Sequence, residues 1–242
     1  MKHPHKKPPP KKHRLSPEEI AAEVREEFAP AIPGIGVVAR NPAFLDRIER
    51  FAATLAKWGA KTNLTANPGD PTEIVFHIFD SLIPIALAVE QKAIRLRPAF
   101  ERDTRILDIG SGAGFPGLII AAALKAHVTL VESRRKRAGF LEDASIEMGL
   151  RNVQVIAGRA EEIAGRFDLV TARAVGDARG LFNIAARALH PGGMLMLYAS
   201  AGQRFDAKAA EAASFDAGPT IPYELRHRRE VVPRAAVFWT RR

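Results

Sequence analysis

Ile106-Leu107-Asp108-Ile109-Gly110-Ser111-Gly112-Ala113-Gly114-Phe115-Pro116-Gly117 is the stretch that decides how the chain is read. An apolar run breaks into four glycines within eight residues, the pattern of a buried strand feeding a tight loop and then a helix. Glycines at such a junction let backbone approach a ligand without Cβ collisions, and the helix that follows presents unpaired N–H groups. A nucleoside-cofactor site is expected there.

Downstream, strand-like runs at 105–109, 128–132, 153–156, 167–172 and 193–198 alternate with helical stretches near 116–124, 134–148, 161–165, 177–189 and 203–213. Alternation of this kind calls for a mainly parallel sheet with helices on both faces. Residues 221–231 and 235–241 have no helix between them, so a short Pro-containing connection makes them an antiparallel pair. The expected fold is α/β, a Rossmann-like seven-stranded sheet with an N-terminal helical extension.

Upstream, three helix starts repeat one device: Ser16-Pro17, Asn41-Pro42 and Asp70-Pro71 each place a capping side chain before a proline. Phe44, Ile48, Phe51, Leu55 and Trp58 then form an apolar stripe at helical spacing. Pro84 is expected to kink or divide the third helix, with Asp80 or Ser81 capping a second piece. The organisation read from this is a disordered basic tail at 1–14, a helical region at 15–100 and the α/β domain at 101–242.

Composition narrows the chemistry. The 242 residues contain no cysteine, which excludes disulfides, thiolate metal sites and a cysteine nucleophile. No uninterrupted run of about 18 apolar residues appears, so no membrane span is expected, and the basic N-terminus lacks a signal peptide's apolar core, pointing to the cytoplasm. No metal site is expected, and a monomer is. The net charge is +9, but residues 1–14 hold six Lys or Arg and no acid, leaving a net of +3 for the rest. Local clusters remain at Arg134, Arg135, Lys136 and Arg137 and among the C-terminal arginines, and such patches favour a polyanion.

Gly112-x-Gly114-x-x-Gly117 formally fits a dinucleotide fingerprint, so a dehydrogenase is one reading. Three features favour S-adenosylmethionine instead. Asp108 lies inside the strand, where a carboxylate suits a cationic, amino-acid-bearing ligand. Glu132 ends the second strand, placed to accept both ribose hydroxyls. The terminal strand pair departs from the six parallel strands of a dinucleotide domain.

Several separated blocks then resemble the glucose-inhibited division protein B family, methyltransferases acting on guanine N7 of small-subunit ribosomal RNA. They are Trp58 with Asn63-Leu64-Thr65, His77 with Asp80-Ser81, Asp108 to Gly117, Glu132-Ser133 with Lys136-Arg137, Gly158-Arg159-Ala160-Glu161 and Ala172-Arg173-Ala174. The resemblance runs over residues 41–200. It implies cofactor contacts at Gly110, Phe115, Ala160, Glu161 and Arg173, beside those expected at Asp108, Ser111, Gly112, Gly114, Glu132 and Ser133. It also implies that Asn63 and His77 face the active site with Arg173. Arg134, Lys136, Arg137 and Arg159 are the candidates for RNA backbone. One departure stands out: the family often carries Lys-Gly after the fifth strand, where this chain has Tyr198-Ala199-Ser200-Ala201-Gly202, leaving Arg204 as the nearby cation.

Guanine N7 has an in-plane lone pair and no proton, so it attacks a sulfonium methyl without a general base. An arginine can fork onto guanine O6 or a phosphate, or bind the cofactor carboxylate, and Arg173 is the candidate for either task. Two other classes of function share these residues: a methyltransferase of a small molecule, and a non-catalytic RNA-binding protein of the same fold.

Overall fold

A computed structural model of the chain describes residues 15–28, 38, 40–91, 103–163, 165–173 and 178–242. The expected disordered tail at 1–14 lies outside them, as do Ala174 and residues 92–102.

Helices α1 (Pro17–Phe28), α2 (Pro42–Gly59) and α3 (Pro71–Glu90) precede strand β1 (Arg105–Ile109). Alternation follows with α4 (Gly117–Ala123), β2 (His127–Glu132), α5 (Arg135–Glu147), β3 (Val153–Ala157), β4 (Phe167–Arg173), α6 (Ala178–Ala188), β5 (Leu189–Ser200), α7 (Ala207–Ala212), β6 (Phe215–His227) and β7 (Glu230–Arg241). The strands form one seven-stranded sheet in the order β3-β2-β1-β4-β5-β7-β6. The first five run parallel, and β7 is antiparallel to both β5 and β6.

The caps work as their chemistry requires. Asn41 Oδ1 accepts from the Ala43 N–H and Asp70 Oδ1 from the Thr72 N–H, while Ser16 and Glu19 close a reciprocal capping box. One face of α1 and α2 is then buried: Val24, Phe28, Ile48, Phe51 and Leu55 join Ile106, Leu118 and Phe140 in a single hydrophobic cluster. The helical extension thus shares its core with the sheet. The opposite face is covered by α6 and α7 through Phe182, Leu195, Phe215 and Trp239.

Several local expectations are corrected. Pro84 does not divide the third helix, which runs unbroken from Pro71 to Glu90. The nearby Ser81 carbonyl accepts the Tyr198 hydroxyl at 2.9 Å, and Asp80 is an ion-pair centre instead of a cap. By length and composition alone this helix passes as a membrane span, which the sequence was not expected to contain, yet 56% of that window is buried within the fold. The stretch at 161–165 is only a 3-10 turn, Ala160–Glu162, because Gly165 and the entry to β4 at Phe167 leave no room for a longer helix. Asp206 starts α7 later than expected by accepting from the Lys208 and Ala209 N–H groups.

In the terminal hairpin the turn falls at Arg228-Arg229, before Pro233. Pro233 is tolerated inside β7 because pairing with β5 stops at Arg234, so its missing N–H costs no bond on that side. Pro191-Gly192-Gly193 loops out within β5, where Phe167 pairs with Leu189 but Leu169 with Met194.

Candidate functional site

Parallel register brings the expected residues to one edge. Ile109 lies opposite Val131 on one side and Ala172 on the other, so Gly110, Glu132 and Arg173 emerge together at the carboxyl ends of β1, β2 and β4. Glu132 pairs with Ala157, and the Gly158 N–H donates to the Glu132 carbonyl, which carries Arg159, Ala160 and Glu161 to the same edge. This is where open α/β sheets hold ligands.

The glycine loop is built for close approach. Gly110, Gly112 and Gly114 all have positive φ, at 71°, 52° and 84°. A Cβ added at Gly110 would meet nothing within 4 Å, so there the loop shows bare backbone to open space. At Gly117 a Cβ would fall 2.3 Å from Leu130 Cδ2 and 2.7 Å from Asp108 Oδ2, so this glycine lets α4 settle onto the sheet. The Gly110 and Ser111 N–H groups both donate to the Val131 carbonyl, tying the loop to the neighbouring strand.

Glu132 is 5% exposed, and each of its oxygens accepts one backbone donor, Gly112 N–H at 3.0 Å and Arg134 N–H at 2.8 Å. A carboxylate has about four lone-pair positions, so two remain for a diol. The same contacts fix the carboxylate and the loop against each other.

Asp108, Ser111 and Phe115, all expected to bind the cofactor, have buried side chains. Asp108 is 1% exposed; its Oδ1 accepts from Thr171 Oγ1 at 2.8 Å and its Oδ2 has no hydrogen-bond partner. Burial pushes its carboxyl up to about 6, against the lowering effect of the Thr171 bond. Ser111 turns its hydroxyl back onto the Asp108 carbonyl. The Phe115 ring is buried between α2, α3 and β4, edge-on to Phe51 at 5.1 Å and 5.0 Å from the His77 ring. These three side chains brace the loop from behind, because a strand interior and a helix underside both face the core.

Arg173 has the opposite character. Its guanidinium lies over the Phe115 ring at 5.3 Å, with Nη1 3.2 Å from His77 Nδ1 and 3.4 Å from Asp80 Oδ2. The side chain stays 19% exposed. Asp80, 1% exposed, also takes both a Nε and a Nη2 bond from Arg234 and a 2.7 Å bond from the Tyr223 hydroxyl. Two guanidiniums thus share one carboxylate, and the bidentate contact belongs to Arg234. Burial, reinforced by the Arg173 charge, holds His77 down to about 4, so it is neutral at physiological pH.

Asn63 is exposed in the loop after α2, and its backbone carbonyl accepts from Arg137 Nε at 3.2 Å and Nη2 at 2.9 Å. Arg137, a candidate for RNA backbone, thereby also docks the Asn63 loop beside the glycine loop. Arg134, Lys136 and Arg159 are exposed at the same edge, as are Ser133 and Glu161. Asp80, Arg234 and Tyr223 were not among the expected site residues. Asp80 belongs to the His77 block of the family resemblance, and a spacing of three puts it on the same face of the helix as His77; Arg234 and Tyr223 carry no comparable signal. Among the described residues no cluster of three His, Asp or Glu side chains forms a metal site.

The sequence profile of one family, described as GidB, rRNA small subunit methyltransferase G, matches residues 45–218. The chain belongs to this family. A ribosomal RNA small subunit methyltransferase G of Wolinella succinogenes is 38% identical over 156 residues, covering 64% of this chain and 74% of the relative. That of Solibacter usitatus is 32% identical over 215 residues, covering 88% and 93%. The solved structure of MtNAS in complex with MTA and tNA shares the fold, with a TM-score of 0.55 at 14% identity over 93% of this chain and 86% of that one. GidB proteins are S-adenosylmethionine-dependent methyltransferases, and the antiparallel β7 of this sheet departs from the six parallel strands that a dehydrogenase reading needs.

Proposed function

We propose that the protein transfers a methyl group from S-adenosylmethionine to N7 of a guanine in small-subunit ribosomal RNA, acting as a monomer in the cytoplasm. The observation that carries this reading is the convergence of Glu132, the bare backbone of Gly110 and the tethered Arg173 at one sheet edge. S-adenosylmethionine supplies a methyl on a positively charged sulfur.

The residues present fit that group. Glu132 offers lone pairs to the ribose diol, and Gly110 and Gly112 let the methionyl part lie against backbone. Ser133, Ala160 and Glu161 border the adenine side, at the ends of β2 and β3. Phe115, Ser111 and Asp108 hold the loop in the shape this requires.

Arg173 serves the substrate. Its Nη1 is spent on His77 and Asp80, and among the described residues nothing takes the other guanidinium donors, which suit O6 of the incoming guanine or its phosphate. His77 is neutral and accepts from Arg173, so it orients this group and abstracts no proton. N7 needs no base, and positioning alone contributes on the order of 7–11 kcal/mol in well-oriented reactions. Arg134, Lys136 and Arg159 meet RNA phosphates around the target, and Arg204 stands where the family lysine is missing. Asn63, held by Arg137, closes the site from the helical side.

Arg173→Ala tests the assignment. Methyl transfer to ribosomal RNA should fall at least about a hundredfold, as when a group used only in the transition state is removed. Transfer and cofactor binding both equal to wild type would show that Arg173 is not part of the site.

A further inference from the structure

We propose that a second, basic groove, at the end of the sheet opposite the glycine loop, binds the phosphate backbone of the RNA substrate. This rests on the reading that the substrate is RNA. The groove has a volume of about 600 Å³ and is bordered by Arg47 of α2, by Lys125 and His127 leading into β2, and by Arg151 and Asn152 leading into β3. Among the described residues no acidic side chain lines it.

Its carbonyl floor is already neutralised. Asn152 Nδ2 donates to the carbonyls of Ala121, Leu124 and Ala126, and Arg47 Nη1 donates to that of Ala122 at 2.8 Å. These groups cover the carboxyl end of α4, whose partial negative charge would otherwise repel an anion. Lys125, His127 and Arg151 are exposed, and among the described residues their side chains have no ion pair or hydrogen bond. Lys125 and Arg151, on two adjacent connections and without a counter-charge among the described residues, form a diffuse cationic surface with His127 between them. Among the described residues no buried charge lines the groove to desolvate a small anion, so the geometry suits a flexible polyanion that keeps its water.

The groove lies at the amino end of β2 and the glycine loop at the carboxyl side. At about 3.3 Å per residue, the six-residue strand separates them by roughly 20 Å, a distance that a folded RNA spans in one contact surface. One RNA can therefore engage both ends of the sheet, with the target base at the loop and a distant backbone segment in the groove.

The test compares the wild-type protein with Lys125→Ala/Arg151→Ala and Lys125→Glu/Arg151→Glu, using filter binding of unmodified small-subunit ribosomal RNA over a range of salt. The alanine pair removes charge at exposed positions and guards against misfolding of the reversal pair. Affinity should fall about tenfold for the alanine pair and further for the reversal. The slope of log affinity against log salt should be shallower by about two phosphate contacts. In methylation assays the RNA KM should rise in step, with kcat and cofactor affinity unchanged. Affinity and salt slope equal to wild type in both variants would overturn the groove. If wild type binds RNA through the groove yet transfers no methyl, the groove stands and the proposed activity fails.

Discussion

Nη1 of Arg173 lies 3.2 Å from Nδ1 of His77. A guanidinium only donates, so the ring nitrogen accepts and the imidazole proton resides on Nε2. The contact joins the end of β4 to the middle of α3, and it makes the helical extension part of the site that the sheet alone would leave incomplete.

That contact has a pH signature. His77 is held near 4, below its ordinary 6.5, so between those values the unfolded chain binds a proton that the native protein does not. Its contribution to stability therefore rises with pH across that window, by at most about 1.4 kcal/mol per unit. Asp108 is held near 6, above its ordinary 3.8, so the native protein binds the extra proton and stability falls as pH rises from about 4 to 6. The two effects oppose each other in the wild type. Urea denaturation between pH 4.5 and 6.5 should show Asp108→Asn gaining stability with pH more steeply than wild type, and His77→Asn less steeply. Parallel curves for all three proteins would contradict both assignments.

Asp80 holds two arginines. Asp80→Asn leaves Arg173 and Arg234 without a counter-charge in a mostly buried site, which should cost about 3–5 kcal/mol of stability in denaturant titration. Tyr223→Phe removes one donor from the same carboxylate and leaves both charges paired, so it should cost less, about 1.5–3 kcal/mol. Equal losses for the two variants would mean that the charges are not the stabilising element.

The helical extension and the sheet were both legible before any coordinates, because caps, prolines and hydrophobic period are local signals. Asn41-Pro42, Asp70-Pro71 and the strand at 105–109 each begin or fall where their own residues place them. The Asp80 centre was not legible in that way. Its partners Arg173, Tyr223 and Arg234 come from β4, β6 and β7, up to 154 residues away, and only the folded sheet brings them together. In the same way Arg137 read as one cation in a basic run, and only its bond to the Asn63 carbonyl separates it from its exposed neighbours. The Thr171 hydroxyl that binds the Asp108 carboxylate, 63 residues away, carries no local signal either.

Gly117→Ala should disturb the loop without touching any ligand-facing atom. The added methyl would press on Leu130 and Asp108, neither able to move far in the core, at a cost of about 1–3 kcal/mol. Thermal unfolding checks this, and a midpoint equal to wild type would show that α4 can lift from the sheet at little cost.

Glu132→Gln keeps the shape but removes one of the two acceptor oxygens. Calorimetry should show S-adenosylmethionine binding weakened about tenfold or more, in line with hydrogen bonds to a charged group. Unchanged affinity would mean that the ribose is held elsewhere.

The central claim is met most directly by mapping the product. The protein is incubated with methyl-labelled S-adenosylmethionine and small-subunit ribosomal RNA from cells that lack it, and the labelled nucleotide is located. The account predicts label on N7 of a guanine. Label on an exocyclic amine, a base carbon or a ribose hydroxyl, or no transfer to RNA at all, would contradict it.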